Sequence, residues 1–68
     1  MWVEHDGQLV NLDLVRDITL EDKSLNFLYN NNQGVRFEYG SEKVAQEYYK
    51  LVKAALVELN YVVNLETV

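Results

Sequence analysis

A chain of 68 residues forms one domain, and a domain this short buries so little surface that it is marginally stable unless very good packing, a metal, a disulfide or a partner adds to it. With no cysteine there is neither a disulfide nor a cysteine-based zinc site, and the single histidine, His5, cannot anchor a histidine-rich one. A formal net charge of −5 and a pI near 4.6 argue against general attraction to phosphate backbones or anionic lipid, while 49% hydrophobic residues and no proline describe an ordered domain.

The opening residues, Met1-Trp2-Val3-Glu4-His5-Asp6, carry acidic groups where a signal peptide needs basic ones. No apolar run reaches membrane-spanning length, so the expectation is a soluble, cytoplasmic protein without a membrane partner. Asp6-Gly7 stands between Trp2-Val3-Glu4-His5 and Gln8-Leu9-Val10-Asn11, and this dipeptide tolerates the positive φ angles of a two-residue hairpin turn. In Asn11-Leu12-Asp13-Leu14-Val15 the apolar spacing shifts, which predicts a bulge or one helical turn before the next strand. Asp17-Ile18-Thr19-Leu20-Glu21 resumes alternation, with Ile18 and Leu20 on one face, and Asp22-Lys23-Ser24 is turn material.

Leu25, Phe27 and Tyr29 alternate on one face, and Val35, Phe37 and Tyr39 do the same after the polar stretch Asn30 to Gly34. Two antiparallel strands joined by a loop account for this pattern, because asparagine and glycine accept left-handed backbone angles and asparagine bonds its own backbone. The loop needs no ligand to explain Asn30, Asn31 and Asn32.

Ser41 followed by Glu42 marks a helix start, the serine capping free amides and the glutamate complementing the positive end of the dipole. From there Val44, Ala45, Tyr48, Leu51, Val52, Ala55 and Leu59 recur every three or four residues, predicting a helix over about 42–59 with this side on the strands. The expected core is Phe27, Phe37, Tyr48, Leu51, Val52 and Ala55. Tyr49 and Leu56 then fall on the helix flank and widen its apolar arc. The final segment, 61–68, holds Tyr61, Val62, Val63 and Leu65; it is β-prone as a strand, or returns Val62 and Val63 to the core side if the helix continues. Tyr49, Leu56, Tyr61, Val62, Val63 and Leu65 are therefore the candidate interface.

Chemistry is scarce. Glu4-His5-Asp6 is the one place where imidazole adjoins carboxylates, but strand neighbours point to opposite faces, so the three do not converge on an ion. There is no glycine-rich phosphate loop, nucleophile elbow or Cys-His pair, so no catalytic residue, metal ligand or cofactor is expected. For nucleic acid, Phe27, Tyr29, Phe37 and Tyr39 lie on the face that the helix must cover, and the other face offers Asn26, Leu28, Arg36 and Glu38. Lys43, Lys50 and Lys53 form a mild basic edge. The reading that remains is a non-enzymatic protein-protein interaction or assembly module acting through a homodimer, or by meeting another protein. A single-stranded nucleic-acid-binding module is the alternative, and a metal-dependent enzyme fragment built on His5 is the third.

Trp2-Val3, then Asn11-Leu12-Asp13-Leu14-Val15 with Ile18, and later Ser41-Glu42-Lys43-Val44-Ala45-Gln46-Glu47-Tyr48, resemble a pattern of short bacterial and phage proteins of uncharacterised activity. These run W-[VI]-N-L-D-x-V-x-x-I through strands and S-E-E-x-A-x-x-Y/F into one helix. Here Glu4-His5-Asp6-Gly7 separates Trp2 from the Asn-Leu-Asp core. The resemblance implies a strand-plus-helix fold and carries over no active-site residue. The expected architecture is α+β: an antiparallel meander of three to four strands within residues 1–39, followed by one C-terminal helix packed on one face.

Overall fold

A computed structural model describes residues 1–61 of the chain. The architecture is α+β, as expected, with five strands: β1 (Trp2–His5), β2 (Gln8–Asn11), β3 (Val15–Glu21), β4 (Ser24–Tyr29) and β5 (Gly34–Glu38), then α1 (Glu42–Glu58). The expected meander is the three-stranded sheet β3-β4-β5 in sequence order, and β1 with β2 forms a second antiparallel ladder. The break between them is local. The Asn11 side chain accepts the Asp13 amide at 3.0 Å and caps a 3₁₀ turn at Leu12–Leu14, which carries the chain out of β2 before β3 begins. A bulge follows, since the register shifts between Val15 and Asp17 and leaves Arg16 outside the ladder.

The turns follow their residues. Asp6 and Gly7 have φ of 52° and 82°, the left-handed pair that Asp-Gly predicts, and place His5 opposite Gln8. Between β4 and β5, Tyr29 N–H donates to the Gln33 carbonyl at 2.7 Å and Asn32 N–H to the Tyr29 carbonyl at 3.2 Å. Asn32 takes a φ of 64°, and Asn31 Oδ1 accepts the Gln33 amide. The asparagines thus close a tight loop on their own. Gly34 belongs to β5 rather than to that loop: a Cβ there would sit 2.7 Å from the Phe27 carbonyl, too close for any side chain.

Cross-strand pairing puts Ile18, Phe27 and Val35 in one row and Leu20, Leu25 and Phe37 in the next. These rows form the inner face of the three-stranded sheet. Val10 from the hairpin joins Leu25, Phe27 and Phe37 in the buried cluster, and Ala45 of α1 is fully buried. The opposite sheet face is wet, with Asp17, Thr19, Arg36 and Glu38 exposed. There Arg36 donates through Nε to Asn26 Oδ1 at 2.8 Å and through Nη2 to Glu21 at 3.1 Å, exposed contacts that contribute little to stability.

The helix starts where Ser41 Oγ accepts the Val44 amide. It ends in a Schellman motif: Asn60 is left-handed at φ 63°, Asn60 N–H donates to the Val57 carbonyl and Tyr61 N–H to the Leu56 carbonyl at 2.8 Å. The helix therefore does not run on through Tyr61. Residues 62–68, including the candidate interface positions Val62, Val63 and Leu65, lie outside the described residues.

The helix phase differs from the expectation. Ala45, Tyr49, Val52 and Leu56 turn toward the sheet, whereas Tyr48 and Leu51, expected in the core, are 47% and 64% exposed. Val52 and Ala55 are half-buried. Two features decide the phase. Ala45 is the one fully buried helix residue among those described, small enough for close approach in the first turns, and Tyr39, one residue past β5, stacks on Tyr48 from the side, at 4.9 Å between centroids and 15° between planes. Truncating Phe37 to alanine is expected to cost about 3–5 kcal/mol in chemical denaturation of protein dilute enough to be monomeric, while Leu51→Ala under the same conditions costs less than about 0.5 kcal/mol. Equal losses would mean that the helix has the other phase.

Candidate interaction surface

The outward side of α1 carries a second apolar stripe. Val44, Tyr48, Leu51 and Ala55 recur at spacings of 4, 3 and 4, one residue behind the sheet-facing Ala45, Tyr49, Val52 and Leu56, and so about 100° around the helix. Val44, Tyr48 and Leu51 are exposed, and Leu59 continues the stripe at the C-cap. This is more apolar surface than a helix needs to cover one sheet. A second, smaller patch lies on the hairpin: Trp2 opposite Asn11 and Leu9 opposite Glu4 share the outward face, and both Trp2 and Leu9 are exposed.

Of the residues expected at an interface, Tyr49 and Leu56 are half-buried on the sheet side, and Tyr61 is exposed just beyond the helix. All three border a groove of about 360 Å³ between α1 and the start of β3. Sequence reading missed the outward stripe of Val44, Tyr48 and Leu51. Its signal was present as adjacent apolar pairs, Val44-Ala45, Tyr48-Tyr49, Leu51-Val52 and Ala55-Leu56, which mark two faces rather than one wide face.

Polar chemistry is sparse. The His5 ring packs 4.4 Å from Tyr39 and 5.2 Å from Phe37, with Nε2 3.2 Å from the Glu38 carbonyl. Glu4 is on the outer hairpin face and Asp6 is in the turn, so the triplet does not gather. Among the described residues no three His, Cys, Asp or Glu side chains are placed to hold a metal ion. Tyr48, Tyr39, His5, Phe37 and Phe27 instead form a continuous run of ring contacts from the surface to the core. No described helix is long and apolar enough to cross a membrane.

Compared with known proteins, the chain matches no protein-family model, no curated protein and no solved structure.

Burial, and after it the neighbouring Tyr48, raises the Tyr39 hydroxyl above its usual value of 10.0. The folded state thus favours neutral Tyr39. The stability tied to this group is present below about pH 10 and is lost as pH rises through the folded-state value. Unfolding free energy measured from pH 9 upward should fall with pH, and Tyr39→Phe should flatten that slope; an unchanged slope would remove Tyr39 as its source.

Proposed function

We propose that this protein is a non-enzymatic protein-interaction module that works by self-association, as a two-fold homodimer paired along the outward stripe of α1. The observation that carries the reading is the exposed stripe of Val44, Tyr48 and Leu51, extended through half-buried Ala55 to exposed Leu59, on a domain whose buried apolar core, among the described residues, is Val10, Leu25, Phe27, Phe37 and Ala45. A core this small gives a marginal fold, and each large side chain removed from water at an interface adds about 1.5–3 kcal/mol. A second copy supports this better than an unrelated partner because the stripe is self-complementary. A two-fold axis between Tyr48 and Leu51 of antiparallel helices sets Val44 against Ala55 and Tyr48 against Leu51, large residues facing small or flat ones. The candidate residues Tyr49 and Leu56 lie about 100° around the helix from this seam, on its sheet side, and Tyr61 is exposed beyond the helix end.

Nucleic-acid binding has less behind it. Phe27 and Phe37 are buried, and Arg36 already engages Asn26 and Glu21. Light scattering over a wide dilution series is expected to give a dimer mass at high concentration and dissociation on dilution. Leu51→Asp should be monomeric throughout with its circular dichroism unchanged. A wild-type mass that stays monomeric at every concentration, or a Leu51→Asp protein that still dimerises, would reject this interface.

A further inference from the structure

We propose that the groove between α1, the 3₁₀ turn and the start of β3 is a binding site for a free acyl carboxylate, a short alkyl chain bearing one anionic head. The groove is about 360 Å³ in volume, within the range of about 300–1,000 Å³ usual for small-molecule sites. Its walls are Leu12, Val15, Ile18, Val52 and Leu56. It also takes two of the six lysines and arginines, Arg16 and Lys53, and no described carboxylate lines it, in a chain that has 11 acidic residues and a net charge of −5. An apolar slot with positive charge at its border, in an otherwise acidic molecule, is complementary to an anionic amphiphile.

The placement of the two cations has structural causes. Arg16 is the extra residue of the β3 bulge, and a bulge re-aims its side chain out of the strand's ordinary alternation. Its Nε is held by Asp17 Oδ2 at 2.8 Å, which compensates part of the charge and leaves the terminal guanidinium nitrogens without a partner among the described residues. Lys53 sits one position past Val52 on α1, half-buried and with no carboxylate partner among the described residues. Lys53 lines the groove beside Val52 and Leu56, so that its alkyl stem can cover apolar wall while its charge stands at the border. The alkyl chain lies along Val15, Ile18 and Leu56, and the carboxylate meets Lys53 and Arg16.

Decanoate below its micelle concentration is the probe, titrated into the isotope-labelled full chain and followed by chemical shift. The expected result is saturable binding centred on Ile18 and Leu56, with decanol bound at least tenfold more weakly. Lys53→Glu or Arg16→Gln should weaken decanoate at least tenfold, and Lys50→Glu, the same charge change outside the groove, should leave it unchanged. Leu51→Asp should also bind as wild type, which separates this site from the self-association seam. Shifts centred elsewhere, equal losses in Lys53→Glu and Lys50→Glu, or absence of binding would overturn the proposal. So would contacts between residues 62–68 and the Ile18 and Leu56 methyls that persist under excess decanoate, because they would assign the groove to the chain itself.

Discussion

Everything in this fold depends on covering one sheet face. Leu25, Phe27 and Phe37 sit on adjacent strands with all three side chains on the same side, Phe27 and Phe37 meeting with centroids 5.0 Å apart at 59°. Left bare, that face would expose two phenylalanines and the aliphatic rows beside them, so water excludes it strongly. Neither the helix nor the hairpin covers it alone. The hairpin brings Val10 and the flat ring of His5, and the helix brings Tyr49. The Asn11-capped turn and the Arg16 bulge follow from this need, because β1 and β2 must leave the plane of the sheet in order to lie over it.

Sharing the cover with the hairpin frees part of the helix. Since α1 fills only part of the face, one narrow stripe is enough for contact, and the neighbouring stripe stays outside. Tyr48 marks the border between the two: it stacks on Tyr39, still touching the domain, while half of it is in solvent. A helix with two apolar stripes in a 68-residue domain is an expensive arrangement if nothing meets the second, because exposed apolar patches of a few hundred Å² invite nonspecific association. The proposed self-association would turn this surface into added stability.

Local signals in the sequence were strong wherever one or two residues decide the backbone. Asp6-Gly7, the Asn30–Asn32 loop, the Ser41 cap and the alternation around Phe27 and Phe37 were legible because turn chemistry and strand period act within a few residues. The helix phase was not, since Val44, Ala45, Tyr48, Tyr49, Leu51 and Val52 together span too wide an arc for periodicity to select one side. Selection came from tertiary packing, the complete burial of Ala45 and the position of Tyr39. The groove was illegible for a similar reason: Arg16 and Lys53 are 37 positions apart, and only the bulge and the helix crossing bring both to one cleft. The Asn60 stop could have been read, because asparagine after a periodic apolar run is a common left-handed helix end.

The central claim is that α1 presents two stripes, one bound to the sheet and one free for a second copy. The chain has no cysteine, so single cysteines placed in turn at 44, 45, 48, 49, 51 and 52 give a clean test by rate of thiol modification. In dilute solution the account predicts fast modification at 44, 48 and 51 and slow modification at 45, 49 and 52, with the fast set alone slowing as protein concentration rises. Fast modification at 45, 49 and 52 with protection at 48 and 51 in the dilute protein, or rates independent of concentration at every position, would contradict it.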